Sequence, residues 1–437
     1  AYSLMDAFVM NNSWSAELSK LDHMLTYSKE DVTNFAIKYY SEGHVVVYKR
    51  QGDKSESLKV DKPEITKVEV NRGKTSPFVG DILARKTNPI TPQILEYENE
   101  IAFGTISGKV PVWKVKKGDD QLFSMYYVLD IGSRNDQKLA LAVEYLEYLG
   151  TEDYTADQIS TAFYKLACNY GVSTGSEQSY VYLNGLASEF EEAVQLFEHL
   201  LQNAVADEEK LKQMVAQKLK SRKDAKLNKG AIMGRLRNYA LYGQENPSTY
   251  FLSEKELMEI GGEELTTYVH NLGNYKHKVF YSGPLTIGEL DGILSKVHTT
   301  PEEYLPTPPF KEFEMRDTDG KSVYLAHYDM VQAEIMWLKK STELALSESA
   351  DIDMFNEYFG GGMSNIVFQE IREAKALAYS TYSFYSEASK LGDNNVVLAY
   401  VGTQSDKMKD GIEAMNILLA DLPEDQKTFD NGKQALK

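Results

Sequence analysis

One cysteine in 437 residues, Cys168, leaves no partner for an internal disulfide and excludes a Cys-based zinc site. Positive charge is scarce: 47 Lys and Arg stand against 65 Asp and Glu, a net charge of −18. That balance argues against a nucleic-acid partner, because phosphate binding needs clustered cations. The one basic stretch, KLKSRKDAKLNK at 218–229, is broken by Asp224 and reads as the solvated face of a helix. No apolar run reaches the ~18 residues that cross a bilayer, so no membrane span is expected. Nor is a leader evident: the opening AYSLMDAF reads as helix interior, which suggests a fragment or a processed product.

Familiar catalytic spacings are missing too. The seven histidines are His23, His44, His199, His270, His277, His298 and His327, and no two lie three or four apart. None can therefore pair on one helical face around a metal, and each reads as a surface side chain. HExxH, HxxEH and Gly-x-Ser-x-Gly are absent. Cys168, in KLACNYG, reads as a packed thiol on the apolar side of a short helix, with no acidifying neighbour.

What is present is a chain long enough for two or more domains, with 42% apolar and 11% aromatic residues, which excludes a disordered one. It also repeats itself. Residues 263–283, EELTTYVHNLGNYKHKVFYSG, parallel residues 30–52, EDVTNFAIKYYSEGHVVVYKRQG. Each reads as an acidic helix start, an amphipathic helix, a polar turn and a short strand. Residues 112–133 parallel 323–341 as two strands joined by a turn. Residues 159–174 parallel 368–382 as helix then strand, and 180–186 parallel 396–403 as a strand. The helix 190–205 parallels 408–422.

The repeat divides the chain. Residues 1–52 read as the tail of a preceding unit and 53–105, with Pro63, Pro77, Pro89 and Pro92, as an extended linker. Residues 106–298 read as a complete unit, 299–320 as a Pro-rich hinge, and 321–437 as a second, truncated unit. Helical stripes such as Leu139, Ala142, Val143, Leu146 and Leu149 adjoin strands in blocks, without βαβ alternation. The expected class is α+β: two homologous sandwich units with helices over an antiparallel or mixed sheet.

The segment 359–385, FGGGMSNIVFQEIREAKALAYSTYSFY, stands out. Gly360 to Gly362 break a helix and permit close backbone approach. No Lys-Ser/Thr follows them, as a phosphate loop would require. Arg372 and Tyr379 lie seven apart. If Tyr379 opens the next strand, guanidinium and phenol could face one cleft and donate to the same oxyanion. A surface Arg and an ordinary strand Tyr are the simpler alternative.

These residues resemble the pitrilysin/insulinase family of zinc metallopeptidases, the inverzincins. GGGMSNIVFQEIREAKALAYS is similar to the family's Gly-rich turn, Leu-Arg-Glu-Lys and Gly-Leu-Ala-Tyr-Ser. Arg372 matches its Arg and Tyr379 its Tyr, whereas Ala376 stands where the family has Gly. The resemblance covers about 106–437, and it implies four homologous α+β units in two halves that close like a clamshell. The first unit would carry HxxEH. The C-terminal half would be degenerate but would supply the Arg and Tyr across the chamber. Laid on Leu141–Thr151, LAVEYLEYLGT, the metal motif puts Leu141 and Tyr145 at its His positions and Glu144 at its base position. Helix 211–227 offers no Glu as a third ligand.

The resemblance thus implies the non-zinc-binding half of a zinc endopeptidase, inactive alone, with no cofactor in this chain and zinc in the upstream half. Its implied partners are that upstream catalytic half and a peptide substrate. A periplasmic or secreted parent is likewise a family-level implication. The rival expectation is a peptide-binding or structural module of the same ancestry.

Overall fold

The computed structural model describes residues 2–41, 43–50, 52, 76–86, 88, 91, 94, 96–115 and 121–436. Packing divides the chain into two bodies, Ala1–Thr91 and Pro92–Lys437.

The first body is helical: α1 (Tyr2–Val9), α2 (Trp14–Leu18), α3 (Lys20–Met24), α4 (Lys29–Tyr40) and α5 (Pro77–Leu83). Ser28 starts α4 through a reciprocal cap with Asp31, each satisfying the other's backbone N–H. The strand expected at 45–48 does not form. Val45 and Val47 are exposed, and no described strand lies alongside to accept their ladder bonds. Pro77 opens α5, where its missing N–H is tolerated. Pro63, Pro89 and Pro92 lie outside the described residues.

The second body begins with α6 (Tyr97–Glu100) and holds two sandwiches. Strands of the first are β1 (Ile101–Ile106), β2 (Val110–Val115), β3 (Leu122–Leu129), β4 (Gly150–Thr151), β5 (Cys168–Thr174), β6 (Ser179–Leu186), β7 (Ala204–Val205) and β8 (His277–Ser282). Six form a sheet in the order β1-β2-β8-β3-β6-β5, while β4 and β7 make a separate ribbon. All pairings in the sheet are antiparallel except β2 with β8, which is parallel. The sheet is therefore mixed and the fold α+β.

Its helices are α7 (Gln137–Tyr145), α8 (Ala156–Lys165), α9 (Phe190–Asn203), α10 (Glu208–Ala225), α11 (Lys229–Tyr242), α12 (Glu254–Glu259), α13 (Gly262–His270) and α14 (Ile287–Val297). The expected stripe of α7 is fully buried from Leu139 to Leu149, as are Phe190, Val194 and Phe197 of α9. Alternation along β3 turns Phe123, Met125, Tyr127 and Leu129 inward onto them. Each such side chain contributes roughly 1.5–3 kcal/mol on leaving water. Cys168 is buried as expected, but it opens β5 instead of lying on a helix, and burial pushes its thiol pKa up.

Two histidines read as surface side chains are buried: His277 on β8 and His298 at the end of α14. The Tyr275 carbonyl can only accept, so His277 Nδ1 carries its proton (2.8 Å). His277 Nε2 then accepts from His298 Nε2 (2.9 Å). His298 Nδ1 meets Glu198 Oε1 at 2.9 Å, and Tyr127 donates to that oxygen at 2.6 Å. The sequence hid this cluster because its members come from four strands and helices far apart in the chain.

Residues 299–320 form a strap fastened to the first sandwich. Leu305 N–H donates to the Asn274 carbonyl (2.8 Å), Asn135 to Pro308 (3.0 Å) and Arg134 Nε to Lys311 (2.8 Å). Arg134 also lies over the Phe310 and Phe313 rings.

The second sandwich comprises β9 (Gln332–Glu343), α15 (Ser349–Phe359), β10 (Ser380–Ser386), β11 (Asn394–Gln404), α16 (Met408–Ala420) and α17 (Gln426–Ala435). Its antiparallel sheet runs β10-β11-β9 over a core of Val367, Ile371, Val401 and Met415. Two strands were expected across 323–341, but only β9 forms. Val323 and Leu325 are exposed, and the Tyr328 hydroxyl donates to the Leu227 carbonyl instead.

Candidate functional site

The metal-motif positions fall on α7, whose start is fixed by Asp136 accepting from Lys138 N–H and Leu139 N–H. Leu141 is buried among core side chains. Tyr145 is fully buried, and its hydroxyl is committed twice: it donates to the Asp207 carbonyl (2.7 Å) and accepts from Asp207 N–H (2.8 Å). Burial raises its pKa. Glu144 reaches the surface and pairs with Lys218 of α10 at 2.6 Å. Helix α10 starts at Glu208, earlier than expected, but the Glu208 carboxylate accepts from Gly262 N–H (2.6 Å).

A zinc ion does not fit these side chains. Leucine offers no donor atom, the phenol is spent on backbone, and an ammonium already neutralises the carboxylate. No catalytic step is therefore routed through a metal in this chain.

The second locus is the Gly-rich turn. Helix α15 ends at Phe359, as the three glycines lead one to expect. A Cβ on Gly360 would sit 2.1 Å from the Ser383 carbonyl oxygen, so only glycine lets this turn lie against β10. A π-helical turn, Phe368–Ala374, follows. It buries Ile371 and presents Arg372, whose guanidinium lies 4.7 Å from the Phe368 ring centre and whose side chain is 44% exposed. The chain then reverses: Leu377 N–H returns to the Ile371 carbonyl and Ala376 adopts φ +50°. The reversal puts Tyr379 immediately before β10, its N–H donating to the Gly402 carbonyl (2.9 Å). Its hydroxyl accepts from Gln404 Nε2 (2.6 Å), and the residue is 55% exposed.

Arg372 and Tyr379 thus share one reversed turn, and no hydrogen bond links them among the described residues. Among the described residues, Arg372 has one ionic neighbour, Glu373, 4.0 Å away. An exposed guanidinium and an exposed phenol each carry N–H or O–H donors of the kind a carbonyl oxygen accepts. Residue types alone did not reveal Lys218 as the partner of Glu144. The two are far apart in sequence, and pairing rules reach only i+4.

The fold is α+β, and the helix on which the resemblance lays the metal motif offers no set of metal ligands. Residues 279–436 match the peptidase M16 inactive domain. The chain is 24% identical over 313 residues to the uncharacterized zinc protease YmxG of Bacillus subtilis, covering 68% of this chain and 71% of that one. The peptidase M16 inactive domain from Pseudomonas fluorescens superposes with a TM-score of 0.58 at 18% identity, over 77% of this chain and 83% of that one. The periplasmic protease PqqL from Escherichia coli superposes with a TM-score of 0.61 at 14% identity, over 95% of this chain and 44% of that one. The match to the M16 inactive domain thus lies in residues 279–436, and the chain is similar to proteins named as zinc proteases. The recognition made from the Gly-rich turn and its Arg–Tyr spacing therefore holds.

Proposed function

We propose that this chain is the non-catalytic half of a zinc endopeptidase, closing with an upstream catalytic half around a peptide. In this reading 106–298 and 321–437 are successive homologous units, 1–52 is the tail of another, and the parent works in the periplasm or outside the cell. The observation that carries it is the exposed Arg372–Tyr379 turn on a unit matching the inactive domain. Arg372 would donate to the substrate carbonyl and hold charge as it builds on that oxygen. Tyr379 would donate its hydroxyl proton to the same atom. Zinc bound in the other half would polarise that carbonyl.

The rival, a peptide-binding module without a catalytic partner, draws on the filled metal positions of α7. A fluorogenic peptide library with added zinc separates the two. The chain is assayed alone, then mixed with the polypeptide encoded upstream. Cleavage only in the mixture is expected. Silence in both favours the binding module, and cleavage by this chain alone overturns both readings.

A further inference from the structure

The basic stretch at 218–229 has a use that the peptidase reading does not absorb. Helices α10 and α11 border an open cleft of about 460 Å³ lined by Lys218, Arg222, Arg235, Arg237, Asn238 and Phe251, among others. Four cations on one cleft are unexpected in a chain of net charge −18. Among the described residues, neither Arg235 nor Arg237 pairs with a carboxylate.

Arg222 is fixed in place. Its guanidinium packs 4.3 Å from the Phe251 ring centre, and one N–H donates to the Leu252 carbonyl at 2.7 Å. A guanidinium has five N–H donors, and among the described residues no other acceptor meets this one. Burial, and then the charge of Arg235, hold the Arg222 pKa below the usual arginine range. Both guanidiniums line this cleft, and neither pairs with a carboxylate among the described residues. Lys218 is neutralised by Glu144, which lines a smaller adjoining cleft of about 170 Å³. Asn238 is held by a hydrogen bond to Ser248, on the same wall.

We propose that this cleft binds a multiply charged oxyanion, either a phosphate group or the carboxylates of an acidic peptide, at a site separate from the Arg372–Tyr379 turn. Planar guanidiniums with free N–H pairs grip such groups with two parallel hydrogen bonds each. An anion bound beside Arg222 and Arg235 offsets their like charge, so binding raises thermal stability. Where the family resemblance puts a cation, this unit thus presents a surface for anions. The proposal does not depend on peptidase activity and survives its failure.

The test is isothermal titration of the full chain with pyrophosphate and, separately, with a tetraglutamate peptide, paired with thermal melts. Arg235→Ala is the diagnostic variant, since Arg235 is exposed and its loss spares the fold. Lys409→Ala, an exposed cation on α16, is the control. Binding should weaken roughly tenfold or more in Arg235→Ala, as expected for a lost charge-assisted contact. It should not change in Lys409→Ala. Binding of pyrophosphate alone assigns the site to phosphate, and binding of the peptide alone to acidic peptides. No binding of either, or equal weakening in both variants, overturns the proposal.

Discussion

Lys218 Nζ lies 2.6 Å from the Glu144 carboxylate, tying α10 to α7 where the family resemblance places the catalytic base of a metal site. An ammonium there opposes any divalent cation by about 4 kcal/mol per unit charge at contact distances near a protein surface. Zinc should therefore leave the melting temperature of the isolated chain unchanged, and chelators should not lower it. Calorimetry with and without each decides the matter, and a zinc-dependent rise would return a metal to this unit. Both side chains are about one-third exposed, so a double-mutant cycle on the pair should give no more than about 1 kcal/mol.

Arg372→Ala, assayed in the joined protein, should lower kcat/KM by about 10²-fold, the usual loss for one oxyanion donor. Tyr379→Phe should reduce it in the same direction. Neither should shift the melting temperature much, because both side chains are substantially exposed. Unchanged kinetics in both variants would remove the pair from the mechanism.

Ala376 occupies the left-handed backbone region at φ +50°, at the position where the family resemblance puts glycine. An alanine there is strained by about 1–2 kcal/mol. Glycine relieves that strain but gives back about 0.4–1 kcal/mol through a freer unfolded chain. Ala376→Gly should therefore stabilise the protein by up to about 1 kcal/mol, and Ala376→Val should destabilise it. Denaturant titration of both variants checks the ordering.

The buried cluster on α9, β3, β8 and α14 makes stability depend on pH. Burial, and then the neighbouring His298, lower the His277 pKa to about 4. Glu198 and Tyr127 face the His277–His298 pair, and the Tyr304 ring packs beside His277. The folded state resists a proton that the unfolded chain accepts near pH 6.5. The contribution is thus complete above pH 6.5 and is lost as pH falls through about 4, a difference of roughly 3 kcal/mol. Unfolding free energies from pH 7.5 to 4 should show this slope, and His277→Phe should flatten it. An unaltered slope in that variant would assign the pH dependence elsewhere.

The α+β class, the stripes of α7 and α9, and the glycine break before Arg372 were legible in the sequence because each is a local pattern. Periodicity reports which face of a helix is apolar, and a Gly-Gly-Gly run reports where a helix stops. What stayed hidden was set by partners far along the chain. His277 looked like a surface ring until Glu198 and Tyr127 converged on its neighbour. The Val45–Tyr48 segment has strand-like residues but no described strand beside it. Lys218 read as a solvated cation, and only the packing of α10 on α7 brought it to Glu144.

The parallel pairing of β2 with β8 governs how the first sandwich assembles. Val112 waits for Val279, and Met125 for Tyr281, so β2 and β3 keep open edges until β8 is synthesised. Closing so long a loop is slow compared with local helix formation. Meanwhile the unpaired edges are templates for other chains. The family match begins at 279, inside this strand. Dividing the chain at 279 would strip the strand between β2 and β3 from one product and leave it partnerless in the other, so both pieces should aggregate more than the intact chain.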